Sequence, residues 1–322
     1  MKTKSTVALS AITLALVAGA AYISQRGGVQ ARQSGVTGTT NPIPSSPSWI
    51  SKSEAKPRES QAQVIPYADA LKGSHNYLDF AKSTIRDAES GNRDAQYYLG
   101  KALGFCDGTY HMYFERKGQV LTLDEALMWA ARLHRSAAFV QTVYDRCHDL
   151  KDHYAEAFRK SSDWIGEAAN AGQPVALATL AVEKFSDIAI HNSSARAGQP
   201  PAAGDPMADA RANLRAAVES KDAEALWQIG LAQGFLTQDF GEKVKNEMAW
   251  WLVSCQRGYD CSPQADWLTL DCPDESFCTP GISGIDYIRN GSGADWPEVQ
   301  LRAQDINAKL DAGKWRELGL DK

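Results

Sequence analysis

Residues 164–172 read Trp-Ile-Gly-Glu-Ala-Ala-Asn-Ala-Gly, and residues 250–258 keep the same spacing as Trp-Trp-Leu-Val-Ser-Cys-Gln-Arg-Gly. In both stretches a Trp precedes a Gly by eight residues, and two small residues lie shortly before the turn. Looser copies occur at residues 88–95 and 216–220. Small residues let two helix axes approach closely, and Gly supplies the positive φ at which many helices end. The pattern therefore predicts pairs of helices that pack through small residues.

Apolar residues recur with helical spacing from residue 64 onward. Thr122 and Glu125 form a capping-box pattern that opens a helix expected over 126–143. Pro174, Asp205-Pro206 and Asp295 mark the starts of further helices. Runs that alternate with a period of two are nearly absent, so we expect an all-α fold with few strands. One predicted helix face comprises Tyr77, Phe80, Ala81, Thr84, Ile85 and Ala88.

Four turn positions, Gly91, Gly172, Ser220 and Gly258, are expected to be equivalent. The separations between them are 81, 48 and 38 residues, so insertions are needed to explain the first two. The last separation is close to what a helix–turn–helix repeat requires.

The chain resembles the short α/α repeats of the tetratricopeptide superfamily, and the Sel-like branch in particular. The pattern W-x-x-x-A-A-x-x-G-x-x-x-A of that branch is matched by Trp164, Ala168, Ala169, Gly172 and Ala176, and by residues 250–258 with substitutions. The resemblance covers roughly residues 76–260. It implies a right-handed, solenoid-like α/α repeat array that binds proteins or peptides. An irregular helical bundle is the alternative interpretation.

Residues 1–26 differ from the rest of the chain. Lys2 and Lys4 precede an uncharged stretch of 17 residues, 7–23, and Arg26 closes it. This pattern predicts a signal peptide, cleaved after Ala20, or an uncleaved membrane anchor through residues 7–23. Residues 27–62 are rich in Gly, Ser, Thr and Pro, which predicts a disordered linker. We expect the α/α repeat domain over 63–260 and a C-terminal cap, including a capping helix, over 261–322.

Composition narrows the classes of function. The net charge is −5, and no cluster of Lys and Arg stands out, so we expect no nucleic-acid partner. The chain has no G-x-S-x-G, H-E-x-x-H or phosphate-binding loop motif. We therefore expect no cofactor and no catalytic residues.

The six cysteines are consistent with export. Cys255, Cys261, Cys272 and Cys278 are separated by five, ten and five residues. Structural zinc sites favour two to four residues between paired ligands, and an oxidising compartment favours disulfides, so disulfides are the preferred interpretation over a metal site. The Sel-like resemblance implies the pairs Cys255–Cys261 and Cys272–Cys278 and leaves Cys106 to pair with Cys147.

The run Cys147-His148-Asp149 suggests a catalytic group, but consecutive helical residues point about 100° apart and do not converge on one atom. A metal site built from His111, His148 and His153 is a second hypothesis, and exposed histidines near a helix end are the simpler alternative. We expect no metal site.

Trp250 and Trp251 are adjacent on a predicted helix, so one of them should point partly away from the core. If that indole is exposed beside Trp267, the three tryptophans are candidate ligand contacts. Most Trp residues in the folded part are otherwise expected in the core.

Three functions are compatible with these features of the sequence. The leading hypothesis is a non-enzymatic protein of the bacterial cell envelope, either exported to the periplasm or anchored in the inner membrane, that binds a protein or peptide partner. The alternative is a helical periplasmic enzyme acting on cell-wall material, which requires convergent acid and base side chains in a cleft. A purely structural role is the third.

Overall fold

The computed structural model describes residues 67–116, 119–132, 136–151, 160–194, 207–237, 239–263, 265, 267–268, 281–318 and 320. The signal or anchor segment predicted over 1–26 and the linker predicted over 27–62 lie outside these residues, as do Asp205-Pro206. Among the described helices, none combines the length and apolarity needed to cross a membrane.

The described part of the chain is helical except for one small β-hairpin, which confirms the all-α prediction. The short strands β1 (Glu115–Arg116) and β2 (Gln119–Val120) are antiparallel, with Glu115 opposite Val120. A π-helical turn spans Cys106–Tyr110, and two 3₁₀ turns span Gly293–Asp295 and Trp315–Leu318. The α-helices are α1 (Tyr67–Gly73), α2 (Tyr77–Glu89), α3 (Arg93–Phe105), α4 (His111–Phe114), α5 (Leu123–Arg132), α6 (Ala137–Lys151), α7 (Ser161–Asn170), α8 (Pro174–Ser194), α9 (Ala208–Ser220), α10 (Ala223–Leu236), α11 (Phe240–Gln256), α12 (Gly284–Ser292) and α13 (Trp296–Asp311).

Helices α2 and α3, α7 and α8, and α9 and α10 form three helical hairpins. Their packing follows the predicted faces: Tyr77, Phe80, Ala81, Thr84 and Ala88 of α2 are buried, and Ile85 is half-buried. Two large apolar clusters cover α1–α6 and α8–α13, and a smaller one lies where α3, α7, α8, α9 and α10 meet.

Three of the four predicted turn positions end their helices in the same way, and Gly313 ends α13 likewise. Gly91, Gly172 and Gly258 have φ values of 88°, 77° and 105°. At each turn the amide of the following residue donates to the carbonyl five residues earlier, as in Gln173 N to Ala168 O at 2.9 Å. This bond defines a Schellman motif, in which the residue with positive φ satisfies the last free carbonyls of the helix.

The equivalence predicted for Ser220 is wrong by one residue. Lys221 has the positive φ, 58°, and Ser220 is the last residue of α9. The Ser220 hydroxyl donates to Ala217 O and accepts from Asp222 N, which holds the turn without Gly. A non-Gly residue tolerates this conformation only at some cost in energy.

Glycines on the second helix of two hairpins allow the next helix to approach. A Cβ on Gly100 of α3 would lie 2.8 Å from Ile165 Cγ1 of α7. A Cβ on Gly230 of α10 would lie 2.6 Å from Trp251 Cδ1 of α11. Gly100 and Gly230 occupy the same position, nine residues after Gly91 and Lys221, so the close approach recurs at equivalent sites.

The segment between the first two hairpins contains α4, the β-hairpin, α5 and α6. The predicted capping box is confirmed, since Thr122 N donates to Glu125 Oε2 at 2.8 Å and Glu125 N donates to Thr122 Oγ1 at 3.3 Å. The single helix predicted over 126–143 is wrong, because α5 ends at Arg132 and α6 begins at Ala137. The two helices pack against each other, which one continuous helix does not allow.

Helix α11 is covered on both sides. It packs against α10 on one side and against α12 and α13 on the other. The helix predicted after Asp295 is α13, with Val299, Ala303 and Leu310 buried. Its start at Trp296 follows Asp295 as predicted, although the Asp295 side chain makes no capping hydrogen bond.

Candidate functional site

The tryptophans expected to contact a ligand are buried. Trp250, Trp251 and Trp267 expose 3%, 4% and 8% of their surface. The exposed indole required by the ligand-contact hypothesis is therefore not found, because α11 is covered on both sides and buries both of its adjacent tryptophans.

Trp227 of α10 is the centre of the aromatic packing instead. Its ring is stacked on Trp251 with centroids 4.4 Å apart, and it lies 4.3 Å from Trp267 and 5.1 Å from Tyr259. We call Trp227, Trp251, Trp267 and Tyr259 the aromatic cluster. Its rings fill the core beside the C-terminal end of α11.

A surface cleft of about 190 Å³ lies between the start of α11 and the junction of α12 with α13. Phe240 stands at its edge with 49% of its surface exposed, and Val299 is fully buried at its base. Gly241 and Gly291 have no side chains, so they leave room for an occupant of the cleft. We call this site the Phe240 cleft. The lining residues are Phe240, Gly241, Val244, Lys245, Gly291, Ser292, Asp295 and Val299.

Lys245, which lines this cleft, belongs to a group of four paired charges. The Lys245 ammonium lies 2.9 Å from both the Glu242 and the Glu298 carboxylates, and Arg302 pairs with the same two residues. Hydrogen bonds from Lys245 and Arg302 lower the pKa of Glu242 and Glu298. The same hydrogen bonds raise the pKa of Lys245. Lys245 is therefore charged at neutral pH and is neither a general base nor an amine nucleophile.

A second polar group connects the first hairpin to the third. The carboxylate of Glu224, in the first turn of α10, accepts from Tyr97 Oη at 3.2 Å, from Tyr98 Oη at 2.9 Å and from Lys101 Nζ. All three donors lie on α3, more than 120 residues earlier in the sequence. This group holds α3 against α10 and was not found from the sequence, because no local pattern marks a contact at this separation.

The ionisation of this group follows from its contacts. Burial alone raises the pKa of Glu224, but Lys101 and the two tyrosine hydroxyls outweigh burial, and the net pKa is below its ordinary value. The neighbouring Asp222 has a raised pKa, first because of burial. Burial and Glu224 also raise the pKa of Tyr98 far above its ordinary value. The tyrosines are therefore donors and Glu224 is an anion throughout the neutral range.

Replacing Glu224 by Gln should lower the free energy of unfolding by about 1–2 kcal/mol at pH 7. The expected loss is this small because Lys101 is partly exposed, so solvent weakens its ion pair with Glu224. Because the folded-state pKa of Glu224 lies below the unfolded-state value, its contribution is present above the unfolded pKa. It is lost as pH falls through the folded pKa. Urea denaturation at several pH values should show the difference from the unmodified protein shrinking below about pH 4.

The control is the exposed Glu219 on α9, where Gln should change the free energy of unfolding by less than about 0.5 kcal/mol. A Glu224→Gln difference that stayed constant down to pH 3 would contradict the assigned role of the carboxylate.

Within the described residues, the histidines do not lie beside enough other side chains to form a metal site. His111 lies between two carboxylates, with Nδ1 2.6 Å from Glu115 and Nε2 3.4 Å from Asp107. The hydrogen bond with Asp107, the largest cause, raises the pKa of His111 despite its partial burial. His148 lies against the Tyr144 ring, and His153 is outside the described residues. Within the described ranges, no group of three His, Cys, Asp or Glu side chains is placed to hold a metal ion.

Two disulfides are present, Cys106–Cys147 and Cys255–Cys261. They are the pairs that the Sel-like resemblance implied, whereas Cys272 and Cys278 lie outside the described residues. Cys147 is consequently not a free thiol, which removes the nucleophile from the run Cys147-His148-Asp149. Disulfides persist in oxidising compartments, so they indicate an extracytoplasmic environment.

None of the protein-family models, curated proteins or solved structures with which the chain was compared matches it. The cleft beside Phe240 is a described site that is open to a ligand.

Proposed function

We propose that this chain is a non-enzymatic protein of the bacterial cell envelope that binds a protein or peptide partner through the Phe240 cleft. The carrying observation is a surface cleft, lined by both apolar and polar residues, with the aromatic side chain of Phe240 half-exposed at its edge. Aromatic residues, Phe included, are enriched at protein interfaces.

The size of the cleft favours a side chain as its occupant. Pockets for cofactors and drug-sized ligands measure roughly 300–1,000 Å³, whereas an engineered cavity of about 150 Å³ holds benzene. A cleft of about 190 Å³ therefore fits one aliphatic or aromatic side chain of a partner. Lys245 in its lining, which belongs to the group of four paired charges, supplies a polar contact, as at the rim of most protein interfaces.

We further propose that the helices form a right-handed α/α repeat array of the Sel-like kind, exported to the periplasm or anchored by residues 7–23. Equivalent Schellman turns at Gly91, Gly172 and Gly258 support this proposal, as do the equivalent close approaches at Gly100 and Gly230. The Glu224 contact joins the first hairpin to the third, and we propose the cleft beside Phe240, which follows the third hairpin, as the binding site.

The enzyme alternative has weaker support at this cleft. It requires a proton acceptor, but the pKa of Lys245 is shifted toward the charged form and the pKa of Glu242 and Glu298 toward the anion. The ion pairs cause these pKa shifts, and the shifts do not favour proton transfer by any of the three groups near neutral pH.

Phe240→Ala should weaken partner binding by about tenfold or more, whereas Leu301→Ala should change it by less than about twofold. Leu301 is a matched control because it is also apolar, lies on α13 and is 65% exposed. A photo-crosslinking amino acid at residue 240 of the full chain, expressed in envelope-bearing cells, would identify the partner segment. A synthetic peptide of that segment would then be titrated against both variants.

Both variants should keep the helical circular dichroism of the unmodified protein, since Leu301 is largely exposed and Phe240 is half-exposed. Equal affinity of the two variants, or crosslinks that never reach a defined segment, would refute the cleft as the binding site.

A further inference from the structure

The two described disulfides differ in their access to solvent. Cys106 exposes 4% of its surface and Cys147 none, whereas Cys255 and Cys261 are both half-buried. They also close chain loops of different length, with sequence separations of 41 and 6 residues. A shorter loop restricts the unfolded chain less, so its bond contributes less to stability. Cys255–Cys261 is thus both the more accessible bond and the less costly one to open.

The loop closed by Cys255–Cys261 covers the aromatic cluster. Tyr259 in this loop packs on Trp227, and the carbonyl of Asp260 accepts from Trp267 Nε1 at 2.6 Å. The Asp260 carboxylate also pairs with Lys72 of α1. The disulfide therefore anchors a segment that connects α11 and α1 with the aromatic cluster.

We propose that Cys255–Cys261 is a site of reversible thiol–disulfide exchange with a dithiol reductant, and that Cys106–Cys147 is not. A thiolate of the reductant attacks one sulfur and breaks the Cys255–Cys261 bond, which forms a mixed disulfide and leaves the other cysteine as a thiolate. The second thiol of the reductant then attacks the mixed disulfide. The products are two protein thiols and the oxidised reductant, and the net transfer is two electrons and two protons.

Opening this bond leaves the helices in place, because backbone hydrogen bonds also hold the loop. Tyr259 N donates to Ser254 O at 3.0 Å, and Gly284 N donates to Cys261 O at 2.8 Å. The change is confined to Tyr259, which packs on Trp227, and to Asp260, whose carbonyl accepts from Trp267 Nε1. This inference does not depend on the proposed partner binding.

The test is graded reduction of the folded full chain with dithiothreitol, followed by rapid alkylation and mass spectrometry of tryptic peptides. Residues 246–257 form one peptide that contains Cys255 alone, and separate peptides contain Cys106 and Cys147. Cys272 and Cys278 therefore do not interfere with the readout. We expect Cys255 to be alkylated about tenfold faster or more than Cys106 and Cys147. Oxidised glutathione should reverse the reaction.

A second measurement reports on the loop. Reduction should change the near-ultraviolet circular dichroism of the tryptophans, and Cys255→Ala with Cys261→Ala should reproduce that spectrum without reductant. The far-ultraviolet spectrum should remain unchanged in both samples. Alkylation of all three cysteines at one rate, or of Cys255 only after the helices unfold, would overturn the proposal.

Discussion

Replacing Trp251 by Ala is expected to lower the free energy of unfolding by about 3–5 kcal/mol, the range for removing a large aromatic side chain from a core. Trp251 is 4% exposed, stacks on Trp227 and lies against the space left by Gly230. The surrounding helices are held by their own contacts and do not collapse fully into the cavity. Guanidinium denaturation of the purified variant, followed by far-ultraviolet circular dichroism, measures the loss.

Trp129→Ala is the control for this experiment. Trp129 is only half-buried on α5, where its ring meets Tyr113 edge-on and Arg116 lies over it. Its removal opens a smaller cavity and should cost less than the removal of Trp251. A Trp251→Ala variant that kept its stability but lost partner binding would contradict the core assignment and restore the ligand-contact hypothesis.

Local sequence signals predicted the all-α fold and several helix ends, among them the turns at Gly91, Gly172 and Gly258 and the start of α8 at Pro174. A Gly turn, a capping box and an apolar face act within one or two turns of chain, so the sequence carries them directly. The turn at Lys221 was misplaced because its positive φ belongs to a non-Gly residue. The break between α5 and α6 was missed because residues 126–143 contain neither Gly nor Pro, and Ser136, whose hydroxyl accepts from Phe139 N, was the remaining signal.

Which side chains of the candidate site are exposed depends on tertiary packing, and the sequence does not show that packing. The period of α11 does indicate that Trp250 and Trp251 point in different directions. It does not show that α10 covers one side of that helix and α12 and α13 the other. Phe240 was missed for the same reason, since its exposure depends on how α12 and α13 meet. The pairing of the described cysteines followed from the family resemblance, because spacing alone left several connectivities open.

Replacing both Cys106 and Cys147 by Ala is expected to lower the free energy of unfolding by about 4 kcal/mol, against about 2 kcal/mol for Cys255→Ala with Cys261→Ala. The difference follows from the sequence separations of 41 and 6 residues, because the longer crosslink removes more entropy from the unfolded chain. Ala is preferred to Ser at these positions because Cys106 and Cys147 are buried, and a hydroxyl there would lack solvent. Guanidinium denaturation of each double variant under oxidising conditions measures both losses.

A domain of ordinary stability has about 5–15 kcal/mol in total, so the loss of Cys106–Cys147 would remove a large share. This bond joins the π-helical turn after α3 to α6, and it fixes the segment between the first two hairpins to the first hairpin. Unmodified protein made in a reducing cytosol should therefore resemble the Cys106→Ala, Cys147→Ala variant, and protein exported to an oxidising compartment should not. Equal stability of the cytosolic and exported forms would contradict both the stabilising role of this disulfide and the dependence of the fold on an oxidising environment.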